Sequence, residues 1–444
     1  MRKHINILFA AALVSIMVFA VSCGTPAAMN SAAALRFGDD GKFRIVQFSD
    51  IHLDASSPTA DETADVITAV IEKEQPQLII LTGDIVTYQP AAEGWEYIAE
   101  LFGGFGIPWC VTMGNHDGEF PVPGISKKDI FAYLEGKPSY IGSVGEDMHG
   151  MGNFAIELLG SSSGKPEAIV YCMDSNDYPD DQNFGKYDWF RFDQISWYRR
   201  TGDRYRAQNG GDPLPSLMFF HIPLQESAWL PGMKTTVGTQ NERAGMGINS
   251  GMFANLLLQG DVIGTFSGHD HDNDFAGIYK GILMSYCRVS GTNAYGDLER
   301  GGRVIQLYEG RAAFDTWIST PGSTEHLYYY PSGISEADEV SMEYLPATDI
   351  SLSQNGVDYK YFEGGRLKHT DHLYTKAREV KRGRVANFSL APAEVTDSMG
   401  FEYNTFIKIP ERGVYRFYTF SDDGSRLYIG DRLVVDNDGS HSAR

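Results

Sequence analysis

Cysteine is scarce. Cys23, Cys110, Cys172 and Cys287 are the only four in 444 residues, too few and too scattered to build a disulfide framework. Ordinary packing has to hold the fold. Cationic side chains are also in short supply: Lys plus Arg is 37 against 58 for Asp plus Glu, a net charge of −21. Such a chain repels a phosphate backbone, which sets duplex nucleic acid aside as a partner. Beyond the first twenty residues no long apolar run occurs, so a multi-spanning membrane protein is excluded. With 42% hydrophobic, 21% charged and 12% aromatic residues, the composition is that of a soluble folded body, neither disordered nor collagen-like. The length suggests two domains.

The one long apolar run, Ile5 to Phe19, follows Arg2, Lys3 and His4 and precedes Ala20-Val21-Ser22-Cys23. Basic, then apolar, then small is the plan of an export signal over residues 1–22. Asn6 and Ser15 interrupt the run, and it falls short of the roughly 20 apolar residues a bilayer span needs. The small residues before Cys23 resemble a bacterial lipobox. That resemblance implies cleavage after Ser22, lipid on the Cys23 sulfur, and an exported chain anchored to a bacterial membrane, facing periplasm or cell exterior. Residues 23–40, rich in Ala, Ser, Thr and Pro at their start, read as a tether. Cys110 and Cys172 fall in apolar runs and read as buried free thiols.

From Phe43 onward, short apolar runs alternate with helix-like stretches, the pattern of an α/β body. Asp61 to Gln75 places Val66, Ile67, Val70 and Ile71 at helical spacing and stops at Pro76. Strands are expected at Phe43–Phe48, Leu78–Leu81, Ile107–Met113, Ala168–Met173, Leu217–Phe220, Val262–Phe266, Ile282–Tyr286 and Val304–Tyr308. Pro321 to Gln354 mixes Pro, Gly, Ser and acidic residues without a period and reads as a linker. Beyond it, alternating aromatic segments such as Val414-Tyr415-Arg416-Phe417-Tyr418 have all-β texture.

Several strand-like runs end in metal-competent residues, and this repetition carries the chemistry. The first runs into Asp50-Ile51-His52; in extended chain, residues two apart share a face, so both side chains can reach one ion. The second ends in Gly83-Asp84, where glycine permits close approach and a carboxylate can bridge two cations. The third ends in Gly114-Asn115-His116-Asp117, the next supplies His221, and the last ends in Gly268-His269-Asp270-His271, again two apart. Asp50, His52, Asp84, Asn115, His221, His269 and His271 make seven mixed nitrogen and oxygen donors. A single structural zinc wants about four, often with sulfur. Two divalent cations about 3.5 to 4 Å apart can hold a bridging hydroxide as nucleophile and stabilise attacking and leaving oxygens, which suits phosphate ester hydrolysis.

In order and spacing these blocks resemble the five motifs of the calcineurin-like metallophosphoesterases, over roughly Phe43 to Trp317. The resemblance implies an α/β (α+β) fold, a two-sheet β-sandwich flanked by helices in a catalytic domain over 41–320. It places Asp50, His52, Asp84 and His271 around a first metal and Asp84, Asn115, His221 and His269 around a second. The ions are manganese, iron or zinc, a choice that mixed donors leave open. His116 becomes the general acid that contacts the phosphate, a task suited to an imidazole. Asp117 is expected to orient His116. Gln47 to His52, Asp193 to Tyr198 and Gly268 to Asp274 are most similar to the branch near the plant and fungal purple-acid-phosphatase-like proteins. True purple enzymes place a tyrosine three after the bridging aspartate; here that position is Thr87, with Tyr88 one step off, so His52 takes the ligand role. Asp270, Asp272 and Asp274 read as a solvated acidic loop, and Trp189, Phe190, Trp197 and Tyr198 as core.

The last ninety or so residues, with Ser421-Asp422-Asp423-Gly424 and Val434-Val435-Asp436-Asn437, resemble the protective-antigen-type β-sandwich module. A small all-β domain over 353–444 follows from this, after a linker over 321–352. In sugar-binding members the paired aspartates hold calcium, which would fall to Asp422 and Asp423; Asp-Asp-Gly is also ordinary turn chemistry. The resemblance breaks off at Arg444 with strands still owed, so a truncated module is expected. The whole reads as a lipid-anchored phosphoesterase acting on phosphate esters, with carbohydrate as a partner of the C-terminal module. Two alternatives stay open: a phosphodiesterase or pyrophosphatase acting on nucleotides or lipid-linked substrates, and a carbohydrate-binding surface protein with an inactive phosphoesterase body.

Overall fold

The computed structural model describes residues 34–119, 125–233, 235–243, 245–341, 344–348, 350–351, 355–409, 415 and 417–442. The export segment, Cys23, and residues 414 and 416 of the aromatic stretch lie outside the described residues. The chain divides into two compact units, one reaching Ala313 with Trp317–Glu325, the other made of Phe314–Thr316 with His326 onward.

In the larger unit, Lys42–Phe48 forms β1, Leu78–Thr82 β2 and Trp109–Thr112 β3. The helices between them are α1 (Thr59–Glu74) and α2 (Ala91–Gly104). These three strands lie parallel, β1 beside β2 and β2 beside β3, because a helical crossover returns the chain to the same end of the sheet. Helix α1 buries Ile67, Val70 and Ile71 and stops where Gln75 turns left-handed ahead of Pro76.

After α3 (Lys127–Leu134), the second sheet is built from β4 (Phe154–Leu159), β5 (Pro166–Cys172), β6 (Ser216–Phe219), β7 (Val262–Ser267), β8 (Ala276–Tyr279) and β9 (Ile282–Tyr286), in the order β4-β5-β6-β7-β9-β8. Helices α4 (Phe192–Gln208) and α5 (Met252–Gln259) cross between its parallel strands β5, β6 and β7. Strand β10 (Gly302–Tyr308) returns to pair antiparallel with β1. The two sheets meet face to face: Cys110 of β3 and Cys172 of β5 approach to 3.9 Å between sulfurs, and Gln47 of β1 donates to the Ser267 carbonyl of β7 at 3.2 Å. Both thiols, like that of Cys287, are free and buried. Trp189, Phe190, Trp197 and Tyr198 sit in the core on the outer face of the second sheet. The fold is the mixed α/β metallophosphoesterase sandwich.

The expected strands form, Ile282–Tyr286 with the expected bounds and the others trimmed or extended by one to a few residues. Missing from the expectation were β4 and β8, which lie at the two edges of their sheet; edge strands carry partly exposed positions, so their apolar runs are broken. After β11 (Phe314–Ser319), the stretch read as linker, Pro321 to Gln354, holds β12 (Thr324–Tyr330), β13 (Ile334–Ser335) and α6 (Glu336–Ser341). The alternating Tyr328, Tyr329 and Tyr330, with Tyr328 fully buried, outweigh a composition that looks like linker.

The smaller unit is mostly β. Strands β12 and β13 pair antiparallel within it. After them, β14 (Val357–Glu363), β15 (Arg378–Val385) and β16 (Met399–Asn404) form an antiparallel sheet with β14 central. The short helix α7 (His372–Thr375) intervenes, and β17 (Ser425–Ile429) pairs with β18 (Arg432–Asn437) as a hairpin. No described helix is long and apolar enough to cross a membrane.

Candidate metal centre

Parallel strands deliver their carboxyl ends to one edge, and loops leaving that edge converge. Here β1, β2 and β3 end level, with Phe48 opposite Leu81 and Thr82 opposite Thr112, and β6 and β7 end level at Phe219 and Phe266. The loops after these five strands bring together Asp50 and His52, Asp84, Asn115 and His116, His221, and His269 and His271. Two groups result, within each of which one donor atom per side chain lies within 4.8 Å of the others: Asp50, His52 and His271, and Asp84, His221 and His269.

The loop backbone is bent to achieve this. Asp50, His52, Asp84 and His269 all have positive φ, 54°, 45°, 52° and 80°, a conformation that costs a non-glycine residue free energy and gathers where function demands it. The period-two geometry does not apply, because these residues lie past the strand ends and Asp50, His52 and His269 are left-handed, although Asp50 and His52 do share a group. His269 and His271 in fact belong to different groups. Gly83, at φ 81°, is required: a Cβ there would sit 2.5 Å from His221 Cγ and 2.7 Å from the Gly114 Cα.

Asp84 lies between the groups. Its Oδ2 is 3.0 Å from His221 Nε2, 3.9 Å from His52 Nε2 and 4.0 Å from His116 Nε2. Its Oδ1 accepts the His116 N–H at 2.8 Å. Asp50 Oδ1 is 3.3 Å from His271 Nε2. Two of the imidazoles are oriented from behind. His221 Nδ1 donates to the Thr82 carbonyl at 2.8 Å, turning Nε2 inward. His52 Nδ1 lies 3.1 Å from Thr87 Oγ1, so the residue found where purple enzymes carry tyrosine is a hydrogen-bond partner of His52, while Tyr88 is largely exposed. Tyr295 stacks on His271 at 3.8 Å between ring centroids, and Tyr187 meets His269 edge-on at 4.3 Å.

Burial alone would raise the Asp50 and Asp84 carboxyls, but the imidazoles of His271 and His221 beside Asp50, and of His221 beside Asp84, hold both well below the usual range. Burial pushes His52 down to about 4 and, joined by the charge of His221, His269 down to about 3. His221 moves the other way: burial opposes its proton, yet Asp84 and Asp50 raise it to about 10.

Two buried atoms in this constellation lack hydrogen-bond partners, Asn115 Oδ1 and His271 Nδ1. Asn115 Nδ2 donates to Tyr178 Oη at 2.9 Å, which leaves the amide oxygen for another partner. Unpartnered buried acceptors cost about 1–3 kcal/mol each; beside carboxylates and imidazoles they are the donor chemistry of manganese, iron or zinc. The residues fit divalent metal ions.

Asp117 departs from expectation. Its carboxylate accepts the backbone N–H groups of Asp84 at 2.9 Å, Ile85 at 2.9 Å, Val86 at 3.2 Å and Gly114 at 2.8 Å, lashing two loops together without holding His116. Burial, with the charge of Asp84, pushes it up to about 6. The partner of His116 Nδ1 is Glu119, through Oε2. Glu119, brought round by the turn, and Tyr178, Tyr187 and Tyr295, on loops distant in sequence, carry no signal in the sequence; Thr87, marked out by its place three after Asp84, is the hydrogen-bond partner of His52. The acidic run is likewise not a solvated loop: Asp270 and Asp274 are buried, and Arg288 Nε donates to Asp274 Oδ2 at 2.8 Å.

In the smaller unit, the Asp423 N–H donates to the His441 carbonyl at 3.0 Å and Asp423 is left-handed at φ 57°, as a turn requires. Neither Asp422 nor Asp423 joins a group of three or more candidate metal-ligating side chains among the described residues.

Sandwich and donor set together define a metallophosphoesterase. Residues 43–273, more than half the chain, match the model of the calcineurin-like phosphoesterase family, and the chain belongs to that family; residues 353–444 match the PA14 domain. Among curated proteins it is similar to "Probable inactive purple acid phosphatase 29" of Arabidopsis thaliana, 30% identical over 61% of this chain and 78% of the relative. "Probable inactive purple acid phosphatase 14" of the same plant is 28% identical over 64% and 79%. Among solved structures it is similar to a dimetal phosphatase from Danio rerio, with 13% identity, TM-score 0.44, and coverage of 64% of this chain and 96% of that one.

Proposed function

We propose that the protein hydrolyses phosphate esters at a dinuclear metal centre. Asp50, His52, Asp84 and His271 would hold one cation and Asp84, Asn115, His221 and His269 the other. What such a pair supplies when bound is Lewis-acid stabilisation of phosphoryl oxygens and a nucleophile derived from water at neutral pH. The observation that carries the reading is Asp84 Oδ2, within 4 Å of imidazoles from both donor groups. The remaining tasks fall to the chain itself. Asp117, by tying the loops of Asp84 and Gly114, keeps two strand ends in register. His52 and His269, their pKa depressed by burial, present neutral nitrogens at neutral pH. His116 is half-exposed, with Nε2 4.0 Å from Asp84 Oδ2, so it overlooks the centre from its open side, where it hands a proton to the leaving oxygen.

The relatives named as probable inactive phosphatases make an inert body the competing reading. Against it stands the donor set of this chain, in which all seven positions carry metal-competent residues. The export and lipid-anchor reading of residues 1–23 would place this activity at a membrane, with the PA14 domain engaging carbohydrate. The test is turnover of nitrophenyl mono- and diesters by metal-stripped full-length protein after manganese, iron or zinc is returned, with bound metal counted. Asp84→Ala is expected to lose turnover and one or both ions, and His116→Ala to keep the ions and slow turnover about a hundredfold. Activity that survives chelation, or wild-type turnover in Asp84→Ala, would overturn the reading; inert metal-loaded protein would favour the competing one.

A further inference from the structure

Among the seven donors, Asn115 is the one whose two terminal atoms differ in kind: its amide offers an oxygen, which binds a cation, or an NH2, which does not. Something must hold it the right way round. Asn115 is buried, its Nδ2 donates to Tyr178 Oη at 2.9 Å, and its Oδ1 has no hydrogen-bond partner. A hydroxyl by itself does not choose between the two orientations, because it donates to an amide oxygen as readily as it accepts from an NH2. Here the hydroxyl is committed. Tyr178 also hydrogen-bonds Glu119, and a carboxylate only accepts. Burial, with that hydrogen bond, raises the Tyr178 hydroxyl above the usual phenol range, so it keeps its one hydrogen at neutral pH. Glu119 takes this hydrogen, which leaves a lone pair on Oη for Asn115. Glu119 is fixed in turn: its N–H donates to the His116 carbonyl at 3.2 Å, and its Oε2 meets His116 Nδ1. One carboxylate therefore faces the proton-donating imidazole directly and the Asn115 amide through a single hydroxyl. The Tyr178 ring has separate support, stacked on Tyr187 at 6.0 Å between centroids with 28° between planes.

We propose that Tyr178 is a positioning residue: its hydroxyl, turned toward Glu119, locks the Asn115 amide so that Oδ1 faces the second cation. The assignment rests on the dinuclear phosphoesterase reading above. Without the hydroxyl the amide loses the partner that distinguishes its two ends, and a part of the chains presents NH2 where the cation needs oxygen. Glu119→Gln retains an oxygen that can take the Tyr178 hydrogen, so the direction of the hydroxyl survives that change.

Manganese titrated calorimetrically into the metal-stripped full chain tests this without turnover. Tyr178→Phe keeps the ring and its stacking and removes only the oxygen. It is expected to weaken one of the two ions by about tenfold, the scale for a group that orients a metal ligand, and to leave the other at wild-type affinity. Asn115→Asp supplies the discriminating comparison, because a carboxylate presents oxygen whichever way it turns. That variant should keep both ions, and adding Tyr178→Phe to it should alter neither affinity by more than about twofold, the spread of independent changes. A tyrosine that acts only by packing its loop would cost the same in both backgrounds. Wild-type affinity for both ions in Tyr178→Phe, an equal loss in the two backgrounds, or loss of an ion in Asn115→Asp alone overturns the positioning role and leaves the phosphoesterase reading standing. A background-dependent loss in a chain that binds two ions and hydrolyses no ester keeps the positioning role and overturns the phosphoesterase reading instead. A wild-type chain that takes up a single ion overturns both.

Discussion

His116 and Asp117 are adjacent in sequence and have separate duties. The imidazole pairs with Glu119; the carboxylate binds four backbone N–H groups on two loops. Substitution should separate them. Glu119→Gln keeps the fold and the metal but removes the charge that orients His116, so kcat is expected to fall about tenfold with metal content unchanged, the usual scale for a residue behind a functional one. Asp117→Asn replaces two acceptor oxygens by one oxygen and a donor, leaving buried N–H groups without partners. It should destabilise the protein by about 2 kcal/mol or more and lower its metal content. Denaturant titration and metal analysis of both variants check this; a stable, metal-replete Asp117→Asn would refute the lashing role. The metal-competent residues themselves were legible in the sequence because they recur at strand ends in a fixed order. The partner of His116 was not, since adjacency suggested Asp117 and only the path of the turn brings Glu119 round to the ring.

At the scale of elements, the site is made by strand termini. A continuous apolar run such as Leu78–Leu81 declares a buried strand whatever its surroundings, and the helix over Thr59–Glu74 declares itself by spacing and by Pro76. The left-handed turns that follow the strands do not. Asp50, His52, Asp84 and His269 adopt φ values that their residue types avoid, and only the surrounding packing over-determines them. Gly83 is the point where that packing has no slack. Gly83→Ala would drive a methyl group into His221 and Gly114 at a backbone angle that itself costs about 1–2 kcal/mol. Expected are loss of at least one metal ion and of turnover, with the far-ultraviolet circular dichroism of the sheets retained. Full metal occupancy in this variant would contradict the close approach described for it.

For the whole molecule, metal binding at the candidate centre should be coupled to protons. His221, raised to about 10, carries a proton at pH 7 that a cation on Nε2 must displace, and His271 is raised as well. His52 and His269, lowered to about 4 and about 3, are already neutral there and release none. Metal uptake at pH 7 should therefore release protons, and affinity should rise with pH, because below the raised pKa values protons and cations compete for the same nitrogens. Calorimetry in two buffers of different ionisation enthalpy measures the release; identical heats in both would show that the imidazoles do not exchange proton for metal. Binding to the folded state alone also stabilises it, so returning metal to stripped protein should raise Tm.

What the sequence determined unaided was most of the strands and helices of the larger unit and which side chains could bind metal, because apolar periodicity and residue chemistry are local properties written in order along the chain. It also marked the C-terminal stretch as β, while strand β12, from Thr324, was hidden by a linker-like composition. Which donors share a group and which side chains stand behind them were decided by tertiary structure alone. Those relations join residues more than two hundred positions apart, as Asp50 is joined to His271, and depend on turns whose conformation the folded surroundings impose against local preference.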